Sequence, residues 1–237
     1  MIKIKRIADQ FIKKVFRMRI KHTSDNHGLL PKLIGTFDCV VSSGDFFPDC
    51  PYQYRDRSKY IEFQLKWLEA QVYDIKKWLG GRPILMVGGN HDFLSYSIVE
   101  NVLRNEGITC FDLTDKIITH DFVNFYGFPY VPVIDESFAY ELDLDDMQEK
   151  VDEMVSELNN TRVDVLVCHS ALRNILDLAY NSARYGSTIL ADGVINKINK
   201  DMLPDVICHG HIHQPGIMVK SGILFVNSAT SQHIIEI

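Results

Sequence analysis

The sequence lacks the features that define several classes of protein. No apolar run approaches the ~20 residues that span a bilayer, so we expect no transmembrane segment. Charged residues interrupt every apolar stretch near the N-terminus, which argues against a signal peptide. There is no internal repeat, no low-complexity tract and no linker rich in Pro, Gly or Ser. The 237 residues, of which 46% are hydrophobic, can bury a full core. We therefore expect one domain over residues 1–237, with a basic N-terminal extension over about residues 1–17.

The cysteines show no pairing pattern, and the 31 acidic residues outnumber the 25 basic ones. The five cysteines include no CxxC pair, and an odd number without a secretion signal favours a reducing cytoplasm. Cys39, Cys168 and Cys208 lie in predicted strands, where we expect small, buried apolar residues. The net charge of −6 argues against nucleic-acid binding by the surface as a whole.

The N-terminal segment departs from this acidic balance. Between Lys3 and Lys21 there are eight basic residues and one acid, Asp9. Apolar residues recur there at helical spacing, so the segment predicts a basic amphipathic helix. Such a helix could bind a membrane surface or a partner. A short helix packed on the domain shows the same pattern and is the favoured interpretation.

Five short polar motifs each follow an apolar run. The runs cover residues 18–24, 38–43, 84–87, 163–168 and 206–208 and are rich in β-branched residues, as buried strands are. Helical patterns lie between them, which predicts an α/β protein with a mainly parallel sheet. Because the carboxyl ends of such strands line the ligand crevice, the motifs should converge. They are Asp25-Asn26-His27, Gly44-Asp45, Gly89-Asn90-His91-Asp92, His169 and Gly210-His211-Ile212-His213.

The residue types in these motifs are metal ligands. Carboxylate, carboxamide oxygen and neutral imidazole together suit Mn, Fe, Zn or Ni. About eight donors are too many for one tetrahedral ion, and one shared carboxylate could bridge two ions. Two ions roughly 3.5–4 Å apart form a clamp for in-line displacement at phosphorus. Taken alone, a Gly-Asp is usually an ordinary turn and the other motifs indicate little more, so the prediction depends on all five together.

The ordered set D-x-H, G-D, G-N-H-D, H and G-H-x-H resembles the calcineurin-like metallophosphoesterase superfamily. The resemblance runs from Asp25 to His213 and continues into residues 225–228. It implies a four-layer α/β/β/α sandwich with mixed sheets and two divalent ions at the strand ends, with Mn favoured over Fe, Zn and Ni. It also implies hydrolysis of a phosphoester by a hydroxide that bridges the two metals.

The resemblance further implies roles for nine residues. The first metal would be held by Asp25, His27 and His213, the second by Asn90, His169 and His211, with Asp45 bridging both. His91 would bind the phosphoryl group and protonate the leaving oxygen, and Asp92 would orient that imidazole. His209 is expected to pack or to support the site, whereas no role is assigned to His22, His120 and His233.

Two features bear on the substrate. Gly127-Phe128-Pro129, followed by Pro132, is similar to a G-x-P-x-x-P stretch in small proteins related to class III cyclic nucleotide phosphodiesterases. The Arg-Gly and the G-N-H-E that mark phosphoprotein phosphatases of this superfamily are absent, since the third motif ends in Asp92. Both features favour a small phosphorylated substrate, a phosphodiester such as a cyclic nucleotide. The alternatives are a phosphomonoesterase, a phosphoprotein phosphatase or a non-catalytic scaffold of the same fold.

Two helices are predicted outside the motifs. The first covers Ser58 to Leu79, is capped by Ser58 and ends at Gly80-Gly81. Its apolar stripe comprises Ile61, Leu65, Leu68, Val72, Ile75 and Leu79. The second covers Asp145 to Leu158 and turns inward Met147, Val151, Met154, Val155 and Leu158.

Aromatic and arginine residues leave alternatives open. Phe46, Phe47 and Tyr52 follow the bridging position and could either stack on a base or bury an apolar loop. Trp67 and Trp78 are expected to be core or helix-packing residues and not platforms for a substrate. The candidates to bind a second phosphate are Arg55, Arg57, Arg173 and Arg184.

Overall fold

The structure is a computed structural model that describes residues 17–51 and 56–237. The helical pattern of the predicted basic amphipathic helix, residues 7–16, therefore lies outside the described residues, whereas the last basic residues of that segment, Arg19 and Lys21, belong to a strand. Tyr52 and Arg55 lie outside them as well.

Two mixed sheets form the centre of the fold. The first contains β1 (Arg19–Thr23), β2 (Cys39–Ser43), β3 (Ile84–Val87), β4 (Cys110–Asp112) and β13 (Gln232–Glu236) in the order β13-β1-β2-β3-β4. The second contains β5 (Ile117–His120), β6 (Val123–Phe128), β9 (Val165–Cys168), β10 (Val206–His209), β11 (Gly216–Lys220) and β12 (Ile223–Asn227) in the order β11-β12-β10-β9-β6-β5. A small parallel pair comprises β7 (Val131–Pro132) and β8 (Glu141–Leu142).

Helices cover the outer face of each sheet. The first sheet packs against α1 (Arg57–Leu79) and α2 (Tyr96–Asn105). The second packs against α3 (Leu144–Asn160) and α4 (Thr188–Asp192), which continues into a π-helical turn at Gly193–Lys197. The predicted four-layer α/β/β/α sandwich is confirmed.

Strand alternation divides the core into three layers. Successive side chains of a strand point to opposite faces, so Val40 packs under α1 whereas Val41 packs between the sheets. Val41 there shares a cluster with Val167 and Cys208 of the second sheet. All five cysteines are buried and unpaired, as predicted for three of them. Within the described residues, no helix is both long and apolar enough to cross a membrane.

Helix α1 lies close to its predicted position but with different details. Asp56 caps it by accepting a hydrogen bond from the Lys59 amide at 3.2 Å, so the prediction of a Ser58 cap is wrong. Gly80 ends it in a left-handed conformation with φ 59°. The predicted stripe residue Ile61 is 39% exposed, whereas Gln64 is fully buried. The buried face of the helix is thus rotated slightly from the predicted apolar stripe, since it includes Gln64 and excludes Ile61.

Helix α3 follows its prediction closely. It extends beyond the predicted ends by one or two residues, and its five predicted inward residues are all buried. Asp143 caps it by accepting hydrogen bonds from the Asp145 and Asp146 amides.

The five predicted strands that precede the motifs are all present. Ile84–Val87 matches its prediction, and the others differ by one or two residues at an end. β1, β2 and β3 run parallel in one sheet, and β9 and β10 run parallel in the other. Backbone hydrogen bonds join the loops that follow them, including Asp25 N to Gly44 O at 3.0 Å. The motifs therefore meet at one end of the sandwich.

Candidate metal centre

The loops of the site contain unusual backbone conformations. Asp25, His27, Asp45 and His211 have φ values of 54°, 44°, 51° and 67°. This left-handed region is sparsely populated by residues other than glycine, although Asp and His tolerate it better than most. Such residues persist where the surroundings hold them in place, and they cluster at functional sites. Here the His27 amide is held by the Asp45 carbonyl at 2.9 Å.

Two glycines allow the loops to approach one another. A Cβ atom on Gly89 would collide with the Asp45 carboxylate, and one on Gly210 would collide with Ser24 and the Asp25 carboxylate. The absence of a side chain at these positions is what lets the loops after β3 and β10 close over the buried acids. The G-N-H-D and G-H-x-H motifs thus need glycine at these positions for steric reasons.

The side chains of Asn90, His169 and His211 converge on one point. The Asn90 side-chain oxygen lies 2.9 Å from His169 Nε2 and 2.9 Å from His211 Nδ1. His169 Nδ1 donates to the Ser43 carbonyl at 2.8 Å, so in the neutral imidazole Nε2 carries a lone pair. Burial lowers the pKa of His211 to about 4. An amide oxygen and two imidazole nitrogens that converge in this way are a donor set that suits a borderline divalent cation.

Asp45 lies between two histidines from different loops. Its Oδ2 atom is 3.4 Å from His169 Nε2 and 3.9 Å from His27 Nε2, and its Oδ1 atom accepts the His91 amide at 2.8 Å. Burial opposes ionisation of Asp45, but the nearby His169 and other histidines hold its pKa below the usual range. Burial likewise opposes protonation of His169, yet Asp45 raises its pKa to about 9. The pocket therefore favours a positive charge beside Asp45.

Asp25 and His213 form a second cluster with His27. His213 Nε2 is 3.2 Å from Asp25 Oδ1, and this hydrogen bond raises the pKa of His213. Nitrogen and carboxylate atoms of the three side chains lie within 4.8 Å of one another. His27 Nδ1 is buried and has no hydrogen-bond partner among the described residues. The donor set fits a divalent cation, and Asp45 lies next to both clusters.

His91 has a different carboxylate partner from the one predicted. Its Nδ1 atom is 2.6 Å from Asp49 Oδ1. Asp92 accepts instead from the amides of Phe46, Phe47 and Gly89 and from the Tyr96 hydroxyl. The prediction that Asp92 orients the imidazole is therefore wrong. The turn at Asn90 and His91 sends the next side chain beneath the loop, where it binds backbone amides.

The buried Asp92 carboxyl supports the loop that follows β2. Burial and the negative charge of Asp45 raise its pKa to about 6, although hydrogen bonds from Phe47, Tyr96 and Gly89 oppose that shift. Because two donors come from residues 46 and 47, the carboxyl fixes the chain just after Asp45.

Sequence reasoning missed two positioning residues, Asp49 and Gln64. Gln64 of α1 donates to the His91 carbonyl at 2.7 Å and accepts from the amides of Phe93 and Leu94 at 2.8 and 3.0 Å. Its signal in the sequence is a polar residue on the inward side of an amphipathic helix. For Asp49 the signal is a carboxylate four positions after Asp45.

A hydrogen-bond network lies behind His169. His22 Nε2 contacts the Ser43 hydroxyl at 2.9 Å, and His22 Nδ1 contacts the Ser228 hydroxyl at 2.7 Å. Ser228 in turn lies 2.9 Å from His233 Nδ1. Burial lowers the pKa of His22 well below its usual value, so its imidazole is neutral. The network holds Ser43, whose carbonyl fixes the ring of His169.

The remaining candidates separate clearly. Phe46 and Phe47 are buried in the core against Trp67, which excludes the stacking role proposed for them. Trp67 and Trp78 pack against the same cluster, as predicted. His209 is fully buried, and burial lowers its pKa to about 4, which fits its predicted packing role.

The described arginine candidates also differ from one another. Arg173 donates to the Arg184 carbonyl, and Arg184 forms an ion pair with the buried Asp177. Arg57 instead donates to the carbonyl of Phe138, whose ring packs against His91. Among the described arginine candidates, Arg57 is thus the one that these contacts connect to His91, through Phe138.

Comparisons with known proteins agree with this geometry. Residues 18–215 match the family model of the calcineurin-like phosphoesterases. The fold resembles the phosphopantetheinyl hydrolase PptH from Mycobacterium tuberculosis, with 17% identity, a TM-score of 0.55 and coverage of 90% of this chain and 89% of that one. A protein from Thermus thermophilus shows 11% identity, a TM-score of 0.59 and 90% coverage of each chain. A putative 5′-nucleotidase from Staphylococcus aureus shows 12% identity and a TM-score of 0.54, over 93% of this chain and 51% of that one. No curated protein matches the sequence.

Proposed function

We propose, from the premise that the chain belongs to the calcineurin-like phosphoesterase family, that it hydrolyses a small phosphodiester, such as a cyclic nucleotide, in the cytoplasm. Family membership supports metal-dependent phosphoester hydrolysis. The diester and the cytoplasm are our proposals, supported by the G-x-P-x-x-P stretch and by five unpaired cysteines. The observation that carries the proposal is the position of Asp45 Oδ2 between His27 and His169.

We assign seven residues to two divalent ions, with Mn favoured. Asp25, His27 and His213 would hold one, Asn90, His169 and His211 would hold the other, and Asp45 would serve both. When bound, such ions bind phosphoryl oxygens and lower the pKa of a water molecule. The mutual distances within each cluster support this division.

Backbone and side-chain groups of the protein would orient the ligands and transfer the proton. The Ser43 carbonyl fixes the Nδ1–H tautomer of His169, so Nε2 is the ligand atom. Asp49 holds His91 through Nδ1, and we assign the other ring nitrogen of His91 to protonation of the leaving oxygen. The complete ligand set argues against a non-catalytic scaffold, since a scaffold needs none of these groups.

The test is hydrolysis of bis(p-nitrophenyl) phosphate with added Mn²⁺, followed by a panel of cyclic nucleotides, dinucleotides, phosphomonoesters and phosphopeptides. Asp45→Asn should lose metal binding, measured by calorimetry, and more than about a hundredfold in kcat/KM, since even residues behind a ligand contribute 10–100-fold. Asp152→Asn, an exposed change on α3, is the matched control. A wild-type protein that binds Mn²⁺ but hydrolyses nothing in the panel would support a scaffold. Preference for phosphopeptides would overturn the diester.

A further inference from the structure

An aromatic and basic rim lies beside His91 and consists of Arg57, Phe93 and Phe138. The Phe138 ring centroid is 5.0 Å from that of His91, with the planes tilted by 53°. The Arg57 guanidinium donates to the Phe138 carbonyl at 3.0 Å and lies 5.9 Å from the Phe93 ring centroid. None of these three residues belongs to the five motifs.

The loop that carries Phe138 is fixed to the metal-binding segment. The Ala139 amide donates to the Asn90 carbonyl at 2.9 Å, one residue from each of the two rings in contact. Glu141 accepts from the amides of Ile134, Asp135 and Phe138, at 2.5 to 3.0 Å. The half-buried ring of Phe138 is therefore held at a set position relative to His91.

Arg57 adds an exposed positive charge to this position. A guanidinium has five N–H donors, and in the described part of the chain Arg57 uses one of them on Phe138 and has no carboxylate within 4.0 Å. The neighbouring Asp56 pairs instead with Lys59 at 2.8 Å. Guanidinium groups bind phosphate and carboxylate groups through two parallel hydrogen bonds.

We infer that the rim binds the leaving group of the substrate, and that this leaving group contains a planar ring and a second phosphate. The inference deepens the proposed function and rests on it. If His91 protonates the leaving oxygen, whatever is bonded to that oxygen lies against Phe138. A flat heterocycle stacks on such a ring, and an anionic group on the same ligand reaches Arg57. The class of substrate is therefore a nucleotide with a further phosphate on its leaving side.

Two nucleotides that differ by one phosphate provide the test. Adenosine 3′,5′-bisphosphate and adenosine 5′-monophosphate are titrated into the Mn²⁺-loaded protein by calorimetry, with inorganic phosphate as the reference for the metals alone. Chromatography confirms that the ligands are intact, and kcat/KM replaces the Kd for any ligand that is turned over. Wild-type protein should bind the bisphosphate more tightly than the monophosphate.

The variants separate the two parts of the rim. Arg57→Ala should weaken binding of the bisphosphate about 10- to 100-fold, as expected for hydrogen bonds to a charged group, and should change binding of the monophosphate less than threefold. Phe138→Ala should weaken both nucleotides about tenfold relative to inorganic phosphate, whereas Phe138→Leu separates the loss of the flat ring from the loss of bulk. Arg82→Lys is the matched control, because Arg82 also donates to a phenylalanine carbonyl and lies over its ring, at the opposite end of α1.

Three outcomes would overturn the inference. They are equal binding of the two nucleotides by the wild type, equal losses for both in Arg57→Ala, and an unchanged ratio of nucleotide to phosphate affinity in Phe138→Ala. If the wild type discriminates as expected but hydrolyses no phosphoester, the proposed function fails while the binding rim stands.

Discussion

Replacing Asp49 tests the geometry of the site most directly. Its carboxylate oxygen lies 2.6 Å from His91 Nδ1 and 3.7 Å from His27 Nδ1, and its side chain is 50% exposed. Asp49→Asn keeps the size of the side chain and an oxygen that can accept from Nδ1–H. It removes the negative charge, so the variant measures what that charge contributes to the protonation of the leaving group that we propose for His91.

The size of the effect follows from the exposure of the pair. A hydrogen bond to a charged group stabilises by about 1.5–3 kcal/mol, and one between neutral groups by about 1 kcal/mol. Solvent screening of the half-exposed Asp49 reduces the difference to about 1 kcal/mol. Since 1.36 kcal/mol is tenfold in rate, kcat should fall about fivefold for a diester with an alkyl leaving group. A p-nitrophenyl leaving group departs without a proton, so its rate should change less than twofold.

The assay is kcat for a series of diesters with leaving groups of increasing basicity, measured for the wild type, Asp49→Asn and His91→Ala. In His91→Ala, kcat should fall most steeply as the leaving group becomes more basic, and this variant should retain its metals. Asp49→Asn in the His91→Ala background should add nothing, because the two residues act through one contact. An equal loss of kcat for every diester in Asp49→Asn would refute the reasoning. It would also be refuted if the loss of kcat depended on the leaving group in Asp92→Asn but not in Asp49→Asn.

Three further perturbations test the supporting structure. Gln64→Leu should lower the free energy of unfolding by about 2–3 kcal/mol, because buried backbone groups lose their partner. The control is Glu69→Leu at an exposed position of the same helix, and equal urea unfolding of the two variants would contradict the prediction. Removal of divalent ions should lower the Tm by about 8–16 °C, from about 4 kcal/mol of binding at 1,000-fold excess over Kd and 2–4 °C per kcal/mol, and Asp45→Asn should abolish this shift. Metal-free protein should lose stability as the pH falls below about 6.5. Burial lowers the pKa of His22 in the folded state, so at such pH His22 is protonated in the unfolded chain but stays neutral in the folded one. His22→Gln should make that slope shallower, and an unchanged slope would show that other groups, such as His209 and His233, set it.

The strand ends could be predicted because two local signals coincide there. A run of β-branched residues followed by a polar residue marks the point where a buried strand leaves the sheet, and Val40, Val41 and the residues up to Asp45 show both. The relation between the two sheets could not be derived in that way. It came from the order of the motifs and their resemblance to a family, because periodicity carries no information on which strand pairs with which.

Adjacency in sequence was a poor guide to contact around His91. Asp92 follows it directly, but the turn carries the two side chains to opposite sides of the loop. The contact with Asp49 depends on the path of the backbone from Asp45, which itself has a positive φ. Similarly, the inward face of α1 is set by packing on the first sheet, so Gln64 is buried and Ile61 is not. Both errors concern positions that tertiary contacts decide.

The strained loops have a consequence for how the site acquires its ions. A residue other than glycine in the left-handed region costs on the order of 1–3 kcal/mol, and Asp25, His27, Asp45 and His211 all adopt it. Hydrogen bonds between protein groups offset much of this conformational cost. The Asp25 amide binds the Gly44 carbonyl, the Asp25 carboxylate accepts the His211 amide at 2.9 Å, and Asp45 Oδ1 accepts the His91 amide. Because these bonds use backbone amides, they hold the loops while leaving His27 Nε2 and His169 Nε2 close to Asp45 Oδ2. Ligand geometry is therefore set by folding, so ion binding need not be coupled to formation of the loops.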